Sequence, residues 1–154
     1  MINVYKTTLE KYKSYLYALT LTYEEDIEIV RKKGPSLMTK WLDSLPNDYP
    51  IIIAKKDNEI LGWGIIGSPG FINKTNGIAG IYIDQQYRGN GFAKQIGIKL
   101  FQLAKDQGFK RIEVSFRSPS ATKLYKSVAK NIGCKRSPFT PYKFYWKDWK
   151  VVVL

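Results

Sequence analysis

Between residues 76 and 104 the hydrophobic pattern changes its period, and two glycines one residue apart sit close to the change. Ile78, Ile81 and Ile83 belong to a β-rich run over 76–84, whereas Ala93, Ile96, Leu100, Leu103 and Ala104 fall on one face of a helix that ends at Gly108. Gly89 and Gly91 lie between them, so the chain must leave a strand, turn within a few residues and enter an amphipathic helix. Glycine lets backbone amides approach a ligand without a Cβ in the way, and a helix start adds unpaired N–H groups at the positive end of its dipole. Such a turn can hold a pyrophosphate. A glycine pair alone means little, because most are ordinary turns or caps. The strand before this one and the helix after it narrow the reading.

The surrounding elements read as a mixed α/β domain. Residues 2–7 form a short strand, and Thr8 can cap a helix whose stripe runs through Leu9, Tyr12, Leu16 and Leu19. A second helix is expected over 23–33, with Glu24, Glu25 and Asp26 near its start and Arg31, Lys32 and Lys33 at its end, as the helix dipole favours. Gly34-Pro35 stops it, and another short helix is expected over 36–45. The runs 50–55 and 60–67, separated by the turn formers Asp57-Asn58-Glu59, read as an antiparallel hairpin, and the loop 68–75 leads on to the strand at Asn76. After the central helix come a strand over 111–116 and a helix from Pro119 to Ile132 with proline in its first turn. The aromatic tail then supplies two strands, 142–146 and 149–154. No repeat, low-complexity tract or linker interrupts this order, and 1–154 is expected to fold as a single domain.

Composition removes several kinds of chemistry. The chain has no histidine, which excludes zinc sites built from Cys and His, the commonest general base and every Ser-His or Cys-His pair. Its one cysteine, Cys134, cannot form an internal disulfide and is expected to be a small core residue rather than a nucleophile. Carboxylates, tyrosines, lysines and backbone groups must therefore carry any catalysis, and no metal is expected. No apolar run approaches about 18 residues, and the N-terminus mixes lysine and tyrosine with apolar residues, so a soluble, cytoplasmic protein without a membrane partner is expected.

A second stretch reinforces the glycine turn. Gln86-Tyr87-Arg88-Gly89-Asn90-Gly91 matches the signature Gln/Arg-x-x-Gly-x-Gly/Ala, and Ala121-Thr122-Lys123-Leu124-Tyr125 with Gly133-Cys134 is similar to Asn-x-x-Ala-x-x-Leu-Tyr followed by Gly-Phe. Both patterns, and the element order from Met1 to Leu154, resemble the GNAT superfamily of N-acetyltransferases. A dinucleotide loop would instead need three glycines in a βαβ unit and an acid about 20 residues on. The chain departs from the family pattern where Ser118 stands for asparagine, Gln85 for proline and Cys134 for phenylalanine, and where four extra residues lie between Tyr125 and Gly133.

The resemblance implies a GNAT-like α/β fold, its mostly antiparallel sheet flanked by helices and splayed between the fourth and fifth strands where coenzyme A enters. It implies that acetyl-CoA is the acyl donor and an amine the acceptor. Main-chain groups of Ile81 and Ile83 would align the acetyl-pantetheine arm, while Gln86 and the run Arg88, Gly89, Asn90, Gly91, Phe92 and Ala93 would bind the pyrophosphate. Tyr125 would protonate the departing thiolate, a task that suits a phenol with an ordinary pKa of about 10. The alternative for Tyr125 is packing against Leu124 and Val128. Asp84, Tyr82, Glu113 and a water chain remain open as routes for the amine proton.

Charge bears on the acceptor. Lysine and arginine total 25 against 13 acids, a net +12; residues 110–150 hold eleven bases and two acids, +9 of the whole. Such a field suits an acceptor that is nucleic-acid-linked or a protein bound to nucleic acid. Lysine-rich composition without function explains it equally well, since twenty of the bases are lysine. The only acidic cluster, Glu24, Glu25, Asp26 and Glu28, is accounted for by a helix start. A rival reading is an inactive GNAT-fold module that binds nucleic acid through Tyr142, Phe144, Tyr145, Trp146 and Trp149 interleaved with Lys143, Lys147 and Lys150. Whether the protein is a monomer or homodimer is left open.

Overall fold

The run Pro50–Lys56 explains the layering, because Ile51, Ile52, Ile53 and Ala54 are all buried although neighbours on a strand point to opposite faces. Their strand must therefore be covered on both sides. The computed structural model describes residues 2–14, 16, 45–67, 76–113, 119–136 and 143–146. Its strands are β1 (Ile2–Thr8), β2 (Pro50–Lys56), β3 (Glu59–Gly67), β4 (Asn76–Ile83), β5 (Arg111–Glu113), β6 (Cys134–Arg136) and β7 (Lys143–Trp146). They form one seven-stranded sheet in the order β1-β2-β3-β4-β5-β7-β6. Every neighbouring pair is antiparallel except β4 and β5, which run parallel over Asn76↔Arg111 to Ile78↔Glu113.

One face carries Ile51, Ile53, Trp63, Ile65 and Tyr82, covered by Leu9, Tyr12, Leu16 and Leu45. The helix α1 (residues 9–14) starts directly after β1. The Leu9 and Glu10 amides at its start donate to the carbonyls of Tyr49 and Asn47, and Thr8, expected as a cap, is the last residue of the strand. The other face carries Ile52, Ala54, Ile66 and Ala79 beneath α2 (Phe92–Asp106) and α3 (Pro119–Ile132). A bulge at Ala54/Lys55 leaves Leu61 without a partner on β2 and turns it into this second layer.

Helix α2 buries Ile96, Gly97, Leu100, Phe101, Leu103 and Ala104, the stripe expected from its spacing. It ends two residues before Gly108, whose φ of +88° allows Gly108 and Phe109 to donate their amides to Lys105 and Ala104. That pair of bonds satisfies carbonyls a helix end otherwise leaves free. Two close approaches seat the helix: a Cβ on Gly64 of β3 would lie 2.7 Å from Ile96 Cγ2, and one on Gly97 would lie 2.7 Å from Val128 Cγ2 of α3.

The tail differs from expectation. Cys134–Arg136 is a strand the pattern did not suggest, paired with β7 through Cys134↔Trp146 and Arg136↔Phe144, while β7 itself falls within the strand expected over 142–146. The hairpin turn is Asp57-Asn58, with Glu59 already in β3. The expected helix over 23–33, all but Leu45 of the helix expected over 36–45, the loop 68–75, the strand residues 114–116 and the strand 149–154 lie outside the described residues. Among the described residues no helix is long and apolar enough to cross a membrane.

Candidate active site

The C-terminal end of β4 is built from backbone geometry. Leu61 lies opposite Asp84, and the Asp84 amide donates to the Leu61 carbonyl at 2.8 Å. In an antiparallel ladder bonded pairs alternate, so Tyr82 bonds Trp63 while the amides and carbonyls of Ile81 and Ile83 point away from β3. They face the side on which β5 lies, beyond the last described β4–β5 pair at Ile78↔Glu113. The Ile81 and Ile83 side chains pack into the layer beneath α2.

Asp84 then turns the chain. Its Oδ1 accepts the Gln86 amide at 3.2 Å and its carbonyl accepts the Tyr87 amide at 2.9 Å, closing the 3-10 turn Gln85–Tyr87. Arg88 Nε donates to the Ile83 carbonyl at 3.1 Å, and Asn90 Nδ2 to the Tyr87 carbonyl at 3.1 Å, folding the loop over the strand end. Gly89 and Gly91 follow with φ of +83° and +79°, values that side-chain-bearing residues avoid. A Cβ at either would meet nothing within 4 Å, so the requirement is conformational and the space beside both is open.

Gly91 is the N-cap of α2, and no side chain caps the helix. Its carbonyl accepts the Gln95 amide, the first bond of the helix, which leaves the amides of Phe92, Ala93 and Lys94 without intrahelical acceptors. The first turn holds no acid to offset the positive end of the dipole. Ile81, Ile83, Gln86, Arg88, Gly89, Asn90, Gly91, Phe92 and Ala93 therefore gather at one end of the sheet, with three helix-start amides available to an anion.

Tyr125 sits in the middle of α3, 5% exposed, its ring stacked on Phe101 of α2 with centroids 6.2 Å apart. It lies in the same apolar layer as Ile81, Ile83 and Phe92. Tyr82 belongs to the other face, buried and stacked on Trp63 at 5.8 Å. The side chain of Glu113 is outside the described residues. Cys134 is buried, and that burial pushes its thiol up to about 12 against the opposing charge of Lys105, which suits a core residue. No cluster able to hold a metal occurs among the described residues.

Sequence reasoning missed Glu59. Its Oε1 accepts Gln86 Nε2 at 3.4 Å. The interaction of its phenol with the Glu59 carboxylate, then burial and the charges of Glu59 and Asp84, hold the Tyr87 proton above its ordinary range. The hairpin signal at 57–59 could have found it, because an antiparallel β2–β3–β4 run returns that turn to the end where β4 finishes.

The family model described as the acetyltransferase (GNAT) family matches residues 14–129. The chain belongs to the GNAT acetyltransferase family. No curated protein matches its sequence. Solved GNAT structures resemble it in fold at low identity. An N-acetyltransferase from Staphylococcus aureus Mu50 has a TM-score of 0.64 and 18% identity over 93% of this chain and 96% of its own. A ribosomal-protein-alanine N-acetyltransferase from Brucella melitensis has 0.62 and 14%, over 94% and 96%. A phosphinothricin acetyltransferase from Sinorhizobium meliloti, solved in complex with AcCoA, has 0.61 and 14%, over 94% and 85%. The glycine turn follows β4, which is one strand of the sheet's parallel pair with β5.

Proposed function

We propose that this GNAT acetyltransferase moves an acetyl group from acetyl-coenzyme A directly to an amine, with residues 1–154 working as one domain in the cytoplasm. The observation that carries the reading is the uncapped start of α2, where the Phe92, Ala93 and Lys94 amides follow two left-handed glycines bordered by open space. When bound, acetyl-CoA supplies a thioester that an amine can attack, releasing a thiolate.

The chain's own groups do the rest. Gln86 and Arg88 to Ala93 bind the pyrophosphate through the helix-start amides and the Arg88 charge. The outward backbone groups of Ile81 and Ile83 pair with the pantetheine arm, and the Ile83 amide polarises the acetyl carbonyl. Tyr125 gives its phenolic proton to the leaving sulfur as the new C–N bond forms and the C–S bond breaks. The amine loses its own proton through water or through Asp84, Tyr82 or Glu113. Asp84 combines this candidacy with a structural task, because its carboxylate already holds the Gln86 amide.

Thermal melts with acetyl-CoA test the donor assignment. At a hundredfold excess over its dissociation constant a ligand of the folded state adds about 2.7 kcal/mol, which raises the melting temperature of a chain this size by several degrees. Gly91→Glu, which adds strain and a negative charge at the helix start, should lose the shift while still melting cooperatively. An unchanged melting temperature of the wild type at millimolar acetyl-CoA removes the reading.

A further inference from the structure

Asparagine is followed by glycine twice in the chain, at Asn76-Gly77 and at Asn90-Gly91. The pair carries a chemistry of its own. The backbone nitrogen of the second residue can attack the asparagine Cγ and close a succinimide ring, and glycine favours the attack because no Cβ stands in its way. The surroundings of each pair decide which of them can react.

Asn76-Gly77 is locked. The two residues open β4 and pair with Arg111 and Ile112 of β5. Gly77 is buried, and a Cβ there would lie 2.7 Å from Ile66 Cγ2 and 2.9 Å from Phe109 Cδ1. The ladder holds this backbone extended, so bending it into a ring would break the pairing and the packing together.

Asn90-Gly91 has neither restraint. Both residues are exposed and lie between the 3-10 turn and α2, and a Cβ on Gly91 would meet nothing within 4 Å. Among the described residues nothing accepts the Gly91 amide, which leaves its nitrogen available as a nucleophile. That nitrogen attacks as an anion, and it sits at the positive end of α2, whose first turn holds no acid. One contact opposes the attack: Asn90 Nδ2 donates to the Tyr87 carbonyl at 3.1 Å. A single exposed hydrogen bond slows the reaction by roughly twofold to tenfold, far less than opening a strand does.

We propose that Asn90 is a site of spontaneous deamidation, closed into a succinimide by the Gly91 nitrogen, and that the acid formed there shuts the glycine turn to coenzyme A. The N–Cγ bond forms as the Cγ–Nδ2 bond breaks, and ammonia leaves with the proton of the Gly91 amide. Water then opens the ring at either carbonyl, giving aspartate or isoaspartate at position 90. The second half rests on the donor reading above. A carboxylate at that position suits the helix start but repels a pyrophosphate bound to the same amides, and isoaspartate also lengthens the backbone of the turn.

The test is to incubate the full chain in mildly alkaline buffer and follow it by mass-spectrometric peptide mapping and by calorimetric binding of acetyl-CoA. Position 90 should convert from amide to acid, as two isomeric products and faster at higher pH, while position 76 stays intact. The fraction of chains that bind acetyl-CoA should fall in step. Asn90→Gln, whose longer side chain closes the ring poorly, should hold its own starting affinity over the same period, and saturating acetyl-CoA should slow conversion of the wild type. Asn90→Asp should weaken binding about fivefold or more, the factor for like unit charges about 4 Å apart in water, without lowering the melting temperature. Position 76 converting as fast as position 90 overturns the proposal, and so does position 90 remaining an amide after a synthetic peptide of residues 86–95 has converted. Converted chains that bind as well as fresh ones overturn the loss of binding. A fresh wild type that binds no acetyl-CoA overturns the donor assignment and that second half, whereas the peptide map still decides the modification, so the failures are told apart.

Discussion

The ring and the hydroxyl of Tyr125 can be removed separately, and each removal tests a different role. The ring is 5% exposed and stacked on Phe101, so Tyr125→Ala should cost about 3–5 kcal/mol of stability, the range for emptying a buried aromatic site. Tyr125→Phe leaves the ring in place and removes the proposed acid; turnover should fall roughly 10²–10⁴-fold while acetyl-CoA affinity and melting temperature stay near wild type. Steady-state kinetics on an accepted amine, with chemistry shown to limit the rate, measures this, and near wild-type turnover would leave Tyr125 with packing alone. Residues differ in how far their role could be read from the sequence. Cys134 was legible as a core residue rather than a nucleophile because the chain has no histidine to pair with it, and its buried thiol agrees. Asp84 was legible as a carboxylate near the reaction but not as the acceptor of the Gln86 amide, a local alternative that Asp offers wherever a turn follows it. Glu59 was not singled out, since its partner Gln86 lies 27 residues on and only the strand register brings the two near.

At the scale of elements, α2 fixes where the amides proposed to bind the pyrophosphate stand, and its seat is set by small residues rather than large ones. A Cβ at Gly97 would lie 2.7 Å from Val128 Cγ2 and 3.4 Å from Ile81 Cδ1. Val128 is β-branched and on a helix, where one rotamer dominates, so it cannot swing aside cheaply. Gly97→Ala gains about 1 kcal/mol of helix propensity but overpacks a buried site at about 1–3 kcal/mol. The expected outcome is a lower melting temperature and weaker acetyl-CoA binding, because the helix start shifts against β4. Val128→Ala in the same chain should recover part of both, which a double-mutant cycle by calorimetry would read; independent, additive losses would mean the two side chains do not meet. The elements legible in advance were those with a strong period, β2 to β4, α2 and α3. The strand Cys134–Arg136 was not among them. Three residues carry too little alternation to reveal a strand, and this one exists through its pairing with β7.

For the whole molecule, the sheet order turns an uneven sequence into an uneven body. Residues 110–150 include β5, α3, β6 and β7, and in the order β1-β2-β3-β4-β5-β7-β6 their strands all lie beyond β4, the strand that leads into the glycine turn. That stretch holds eleven bases and two acids, a net +9, whereas residues 1–109 contribute +3. A cofactor with a few phosphates needs less, so a polyanionic acceptor, or an amine carried on a nucleic acid or a protein bound to one, suits the surplus. Lysine-rich composition without function predicts a basic surface equally well. The two separate on which property changes when charges are removed. Lys135 and Arg136 in β6, Lys143 at the start of β7 and Lys147 after it are the positions to neutralise by substitution with glutamine. Acetyl-CoA affinity should hold, while acceptor use and nucleic-acid binding should fall. Binding of RNA and DNA measured across salt should show a shallower slope of log affinity against log salt, by about one unit for each phosphate the variant no longer neutralises. An active enzyme whose variants lose nucleic-acid binding together with acceptor turnover supports the carried amine; variants that lose binding while a wild type transfers no acetyl group favour the inactive binding module instead. If the wild type binds no nucleic acid at low salt and only small cationic amines are acetylated, the charge is compositional and the polyanionic acceptor is excluded.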